Sequence, residues 1–452
     1  AIERENKLIR KNFLGSVFGE ANLLKGLKYR VELSANTEFT EYTDFYPSYD
    51  RGTQFNLTAD LFERRQNWYS TNIQNLLTYD LNFNKHKITA LVGQEANDSH
   101  WEGLLAEAHG FKFNDIHNIS MSDADSRTVT GYKGSQALSS LFGRLIYDFD
   151  NKYSITASIR RDQSSKFEPA IDGKQVGYFP SVSVSWKVSS EKFMESVKDY
   201  ISLLKIRAGY GETGNQQIPN GRYAANLTQY FLPGNIPNPN LTWEKTSSLN
   251  AGVDLGLFNN KIQATVEYYE KKSVDLIYAK PLPISTGNSS ITTNIGALKN
   301  YGWEFTVSSE NIKNENFSWN TSLNFSLDKN KITELAGGNF ISGTKRYEVG
   351  RSLFEFWLQE YAGVDPNDGR MMWYRDVTAA DGTVTKETTK TYAEATRYYT
   401  GKNSIPDVIG GFNNSFRYKN FDLNVLLNFS FGGYIYDSQY SGLMSLATLG
   451  EQ

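Results

Sequence analysis

From Tyr301 to Leu327 apolar and polar residues alternate one by one through two runs joined by a short turn. Tyr301, Trp303, Phe305 and Val307 hold one phase of the first run, and Phe317, Trp319, Leu323, Phe325 and Leu327 hold it in the second. The opposite phase carries Glu304, Thr306 and Ser308, then Ser318, Asn320, Ser322, Asn324, Ser326 and Asp328. A two-residue period sends successive side chains to opposite faces of a strand, so each run presents one face to an apolar medium and one to water. A strand dry on both faces is excluded, because so many polar groups could not be buried unpaired.

The pattern recurs along almost the whole chain. Tyr29, Val31, Leu33 and Ala35 interleave with Lys28, Arg30, Glu32 and Ser34. Leu141, Leu145, Tyr147 and Phe149 turn at Asp150 to Lys152 into Tyr153, Ile155, Ala157 and Ile159. Leu249, Val253 and Leu255 turn at Phe258 to Lys261 into Ile262, Ala264 and Val266. Phe412, Phe416 and Tyr418 turn at Lys419-Asn420 into Phe421, Leu423, Val425 and Leu427. The chain holds about fourteen such strands, paired as hairpins in sequence order, which predicts an all-β, antiparallel, up-and-down topology.

Connection lengths separate a sandwich from a membrane barrel. Short turns at Lys25-Gly26, Asn82 to Lys85, Asp150 to Lys152, Phe258 to Lys261, Asn311 to Asn316 and Lys419-Asn420 alternate with long polar stretches at 46–66, 97–134, 212–241, 272–292 and 329–407. Antiparallel strands send alternate connections to opposite ends, so one rim carries tight turns and the other large loops, as in a transmembrane β-barrel with short periplasmic turns and long extracellular loops. Tyr79, Phe149, Tyr153, Phe317, Tyr418 and Phe421 lie beside short turns in the apolar phase, where an aromatic girdle would meet a membrane boundary. One connection differs: Phe193, Val197 and Tyr200 predict a short amphipathic helix over 189–200.

Composition agrees. With 28 Tyr, 27 Phe and 8 Trp but a mean hydropathy of -0.51, the chain is aromatic-rich yet polar. No apolar run approaches the ~18 residues of a spanning helix, so a membrane would be crossed by strands. The sequence has no cysteine, which excludes disulfides and cysteine-ligated metal, and a net charge of -3 gives no reason to expect nucleic acid. Residues 1–7 lack the pattern of a signal peptide, and 445–452 do not read as a closing strand, so the sequence is expected to be an interior piece of a longer barrel.

Gly177-Tyr178-Phe179-Pro180-Ser181-Val182-Ser183, then Leu204-Lys205-Ile206-Arg207-Ala208-Gly209-Tyr210-Gly211-Glu212-Thr213-Gly214-Asn215-Gln216, resemble the barrel of the SusC/RagA family of TonB-dependent outer-membrane transporters. Further segments follow in family order: Asn238 to Lys245, Gly302-Trp303-Glu304-Phe305, Tyr361 to Pro366, Ile405-Pro406-Asp407 and Gly410-Gly411-Phe412. The resemblance spans nearly the whole chain. It implies that residues 1–452 are part of one TonB-dependent receptor-like β-barrel domain, supplying about 14 of about 22 strands around a plugged lumen. It also implies import of oligosaccharides or peptides across the outer membrane of Bacteroidetes, a SusD-like surface lipoprotein as partner, and coupling to TonB through an N-terminal region. The plug, that region and the terminal strands are absent from this sequence. A secreted all-β carbohydrate-binding or adhesive protein is the alternative, and membrane fractionation separates the two.

Other motifs point less far. Gly209-x-Gly211-x-x-Gly214 matches a dinucleotide fingerprint, but that chemistry needs a parallel strand before it and a helix after it. His100, His109 and His117 share a segment with Asp115, Asp123 and Asp125, without metal-ligand spacing. Asp365-Pro366-Asn367-Asp368-Gly369 lacks a carboxylate where a calcium loop requires one. No cofactor and no enzymatic nucleophile are expected. Trp101, Trp373 and Tyr374, in long loops, are the candidate substrate-binding residues, suited to stacking on sugar rings or gripping peptide side chains. The competing reading is that they anchor their loops.

Overall fold

In the computed structural model, which describes residues 4–171, 173–219, 221–224, 236–335 and 337–443, the chain forms one fourteen-stranded antiparallel sheet with smaller sheets in the connections. The wall strands are β1 (Glu5–Leu24), β2 (Leu27–Tyr46), β3 (Ala59–Phe83), β4 (His86–Phe111), β5 (Thr128–Phe149), β6 (Tyr153–Ser164) and β7 (Val176–Lys187). They continue as β8 (Ile201–Asn215), β9 (Glu244–Leu257), β10 (Ile262–Val274), β11 (Ala297–Lys313), β12 (Phe317–Glu334), β13 (Val408–Tyr418) and β14 (Phe421–Phe431). Each pairs with its predecessor and its successor, and the sheet is open, with β1 and β14 at its edges.

The tight turns sit at one rim, and their residues explain them. Asn84, Asp150, Asn151, Asn259 and Asn260 take positive φ, the left-handed region that Asn and Asp tolerate. Gly26, at φ 82°, could not carry a side chain, because a Cβ would stand 2.3 Å from the Asp80 carbonyl oxygen. With turn geometry set, register follows: Phe149 opposes Tyr153, and Tyr418 opposes both Phe421 and Phe317. The rings at this rim run from Phe83 through His86 and Phe149 to Tyr153 and Trp186, each within 6.3 Å of the next. Phe149 and Tyr153 of the predicted girdle lie in this band.

The apolar stripe has no second layer over it. Leu141 and Ile159 are each 54 % exposed and Val253 is 40 % exposed, all mid-strand on the outer face. Buried apolar residues gather instead in two small clusters toward the long-loop end. One is Phe45, Ala59, Leu61, Ala108 and Phe111; the other is Phe167, Phe179, Ile218, Leu241 and Trp243. A greasy face left open over most of a sheet fits acyl chains, not a sandwich partner. Its polar interruptions are satisfied within the stripe: Tyr29 Oη donates to Asn75 Oδ1 at 2.7 Å, and Asn75 Nδ2 donates to Gln94 Oε1 at 2.7 Å.

Two expectations need correction. The stretches predicted as loops at 46–66 and 97–134 are largely strand, since β3 starts at Ala59, β4 runs to Phe111 and β5 starts at Thr128. Strands of 25 and 26 residues span ~80 Å at about 3.3 Å per residue, far more than a ~25 Å apolar band. Beyond the bilayer both faces are wet, so hydropathic alternation disappears while the ladder continues. The segment predicted as an amphipathic helix forms two short 3₁₀ pieces, Val188–Ser190 and Lys192–Val197, in which Val188 is buried while Phe193 and the following Tyr200 stay exposed, so the expected helical stripe is not packed as one face. The Glu191 carboxylate ties this connection to the wall by accepting from Tyr153 Oη (2.7 Å), Trp186 Nε1 (3.1 Å) and Lys152 Nζ (3.1 Å), which hold its pKa below the usual carboxylate range.

The connection 335–407 is itself folded. Phe340–Ser342, Lys345–Tyr347, Glu355–Gln359 and Arg397–Asn403 make one small sheet, and Tyr361–Val364, Met371–Thr378 and Val384–Thr389 make another.

Candidate functional site

The inner face of the wall is polar because the same two-residue period that exposes the stripe sends the other phase inward. Its charges are paired across strands. Arg160 of β6 reaches Glu95 of β4 at 2.9 Å, Ser140 of β5 at 2.6 Å and Asp162 at 2.7 Å. Arg207 of β8 lies 3.4 Å from Asp254 of β9 and 2.5 Å from Glu267 of β10. Tyr269 of β10 donates to Asp328 of β12, which also accepts from Ser326 Oγ at 2.7 Å. Asn36, Asn72 and Asn413 carry buried amide oxygens without a hydrogen-bond partner among the described residues.

Between the two arginine clusters the face is nearly flat. A groove of about 600 Å³ runs over Ser158, Ser181, Ser183, Gly209 and Gly211, with Ser158 and Ser181 hydroxyls 2.7 Å apart. This accounts for the glycine fingerprint. Gly209, Gly211 and Gly214 lie inside antiparallel β8, and a Cβ at Gly214 would meet the Phe179 ring at 2.1 Å. The glycines make room for a ring and a groove, and the nucleotide architecture is not there.

Higher on the same face, β3, β4 and β5 carry aromatic side chains past the apolar stripe. Trp101 is in β4 and not in a loop; it sits opposite Trp68 of β3 in the ladder, in phase with Glu95 and Ser99. Its ring covers Gly134 of β5, where a Cβ would approach to 2.5 Å. Tyr132 covers Gly103 in the same way and donates to Gln66 Oε1 at 2.8 Å.

Trp373 and Tyr374 do lie in the long connection, in Met371–Thr378, and both are half-buried. Trp373 packs edge-on against Tyr392 at 5.3 Å, and Lys386 stands 4.3 Å from the Tyr374 ring centre. Beside them is a cavity of about 510 Å³ whose walls include Tyr361, Tyr398, Tyr399, Tyr434 and Tyr436. Burial, together with Asp376 accepting at 2.5 Å, pushes the Tyr398 phenol up to about 12. Burial and Glu348 at 2.9 Å push Tyr399 up to about 12 as well. Both therefore stay protonated as hydrogen-bond donors at physiological pH, in a cavity with aromatic walls. Sequence reasoning missed this cavity; the doublet Tyr398-Tyr399, close to Tyr392, was the available signal.

The three histidines, two of them in β4 and not in a loop, are dispersed. His100 pairs with Asp98 (2.8 Å), His109 with Asp60 (2.7 Å) and His117 with Glu5 (2.5 Å). Among the described residues no group of three or more His, Cys, Asp or Glu is placed to hold a metal. In the turn at Asp365, the Lys390 ammonium takes the position between carboxylates, 2.5 Å from Asp365 and 2.8 Å from Asp368.

Comparison with known proteins gives this geometry its relatives. Residues 10–441 match the family described as TonB dependent receptor-like, beta-barrel. The chain is 31 % identical to TonB-dependent receptor P39 of Formosa agariphila over 94 % of its own length and 46 % of the relative's. It is 30 % identical to TonB-dependent receptor SusC of Bacteroides thetaiotaomicron over 100 % of its own length and 46 % of that protein's. Among solved structures, the RagAB peptide transporter superposes with a TM-score of 0.82 at 26 % identity, covering 94 % of this chain and 48 % of the other. The chain thus spans about half the length of the relatives it matches. The chain belongs to the TonB-dependent receptor-like β-barrel family, on its SusC/RagA-like side.

Proposed function

We propose that this chain forms the wall and outer mouth of a SusC/RagA-like importer that carries oligosaccharides or peptides across the outer membrane. The observation that carries the reading is the division of the wall into an open apolar face and a polar face with paired charges and a groove over β6 to β9. Kinship with SusC and with a RagAB peptide transporter supports nutrient cargo of either class. In this reading residues 1–452 are one segment of a single barrel domain, and the parent protein supplies a plug, the remaining strands and the TonB-contacting region. A SusD-like lipoprotein covers the mouth. Trp373 and Tyr374, with the tyrosine-walled cavity beside them, meet cargo in the outer connection, and Trp101 meets it on the inner face of the wall's outward extension. A planar ring offers a face to a sugar or an apolar side chain, and a phenol whose proton is already given to a carboxylate still offers an acceptor oxygen.

The test is uptake by cells that depend on the full-length transporter, supplied with labelled oligosaccharides or labelled peptides. Uptake of one class that falls at least fivefold in Trp373→Ala/Tyr374→Ala, at unchanged outer-membrane abundance, supports the assignment. Release of the protein without detergent, or hydrolysis of a glycan or peptide by the purified protein, overturns the importer reading.

A further inference from the structure

The outer face of β9 to β12 changes character near its long-loop end. Going outward, one ladder row reads Val253, Val266, Phe305, Phe325, and the next reads Ala251, Tyr268, Trp303, Leu327. The row above is Leu249, Glu270, Tyr301, Lys329, and the row above that is Ser247, Lys272, Lys299, Lys331. Three lysines therefore stand side by side on adjacent strands, Lys272 opposite Lys299 and Lys299 opposite Lys331, with Lys329 below them and Lys245 one row above.

Like charges directly across a ladder repel and destabilise the pairing. Among the described residues only Lys299 of this group makes an ion pair, with Glu270 at 2.7 Å, and Lys272 lies within longer electrostatic reach of the same carboxylate. Lys272, Lys329 and Lys331 are exposed, and among the described residues none has a carboxylate within salt-bridge distance. Glu334 is the other carboxylate in these outer rows, opposite Ala297, and it leaves the patch positive. The cations are not scattered over the loops. They form a compact group directly above an aromatic row and an apolar ladder, at the outer boundary of the membrane-facing stripe.

We propose that this patch binds the phosphorylated headgroup of an outer-leaflet glycolipid, with the phosphate between Lys272, Lys299 and Lys331. The acyl chains lie along Val266, Phe305 and Phe325. Tyr268, Tyr301 and Trp303 sit where such an amphiphile passes from sugar to hydrocarbon, the depth that rings with a polar edge favour. Lysine suits the task because an ammonium meets phosphate as a point charge without demanding planar geometry. Apolar ladder, aromatic row and cation row, stacked in that order, match the order of parts in a phosphoglycolipid, whereas a soluble anion would use only the last.

The test uses the full-length transporter, delipidated in detergent and titrated with monophosphoryl lipid A. Binding should be saturable and at least tenfold weaker in Lys272→Gln/Lys299→Gln/Lys331→Gln, while Lys198→Gln at the short-turn rim binds like the parent. In lipid-free detergent Lys272→Gln/Lys331→Gln, which keeps the Lys299–Glu270 pair, should unfold at the parent's temperature or higher, because it has lost mutual repulsion; a purely structural role for the lysines would lower it. Equal binding of the triple variant and the parent overturns the proposal, as does equal binding of phosphatidylethanolamine. Displacement of lipid A by millimolar inorganic phosphate would make this a free-anion site and overturn the lipid assignment. Loss of a co-purifying acidic protein from the triple variant, with lipid A binding intact, would overturn it in favour of a protein partner.

Discussion

The ring of Phe142 in β5 occupies the space into which any side chain at Gly93 of β4 would project: a Cβ there would stand 2.3 Å from the ring and 2.9 Å from Leu76 Cδ2. Gly93 and Phe142 are direct partners in the ladder. Gly93→Val should therefore destabilise the folded wall by about 1–3 kcal/mol through overpacking. Phe142→Ala in the same chain should recover part of that loss, so heat-modifiable migration of the double variant should fall between parent and single variant.

The two faces of one hairpin should answer oppositely to the same charge. Val253 and Val266 oppose each other on the open apolar face, and a lysine at either should cost about 2–4 kcal/mol near mid-membrane. Asn250 and Thr265 lie on the inner face, where Thr265 Oγ1 donates to Asp254 at 3.0 Å, and lysine there should be mild. Folded protein recovered from outer membranes measures the difference; equal recovery would show the faces to be misassigned.

Arg207 holds two carboxylates from neighbouring strands together. Arg207→Met should leave Asp254 and Glu267 facing each other without a cation and lower thermal stability by about 1–2 kcal/mol, a value reduced for their partial exposure. Adding Glu267→Gln should restore part of the loss, as read by the unfolding midpoint at low salt.

The Lys390 clamp sets a pH window for the outer connection. Hydrogen bonds from Lys390 hold the Asp365 and Asp368 carboxyls below the usual carboxylate range. A depressed pKa contributes order that is fully present above the ordinary value of 3.8 and is lost as pH falls through the lowered values. Lys390, raised by the same contacts, contributes order below 10.5 that is lost only as pH rises through its elevated value. Amide exchange in 361–390, expressed relative to the intrinsic rate of an unfolded chain at each pH, should therefore stay flat from pH 5 to 9 and quicken below about pH 4. Lys390→Met should quicken it at every pH and remove the acid step.

What could be read in the sequence and what could not divide along the membrane boundary. Between Phe149 and Tyr153 or Tyr418 and Phe421, turn chemistry and a two-residue period act on few residues and point to one register, and the structure keeps it. Past that boundary the bilayer no longer distinguishes the faces. Residues 97–111 then read as loop although the ladder with β5 runs unbroken from His86 to Glu107, which is why Trp101 was assigned to a loop. The small sheets of 335–407 pack against themselves in water, so no period marked Tyr398 and Tyr399 as cavity walls.

β12 and β13 are neighbours in the wall, Phe317 against Tyr418, although the whole folded connection 335–407 separates them in the chain. That connection leaves the wall at one strand end and re-enters at the adjacent one; it is tied to the outer end of β12, where Ile332 exchanges backbone hydrogen bonds with Gly350 and Arg351 and Asn330 Oδ1 accepts from Leu353 N, while the rungs from Phe317 to Ser326 pair with β13. Recombination can replace it as a cassette in a lineage whose anchorage in the envelope is inherited unaltered.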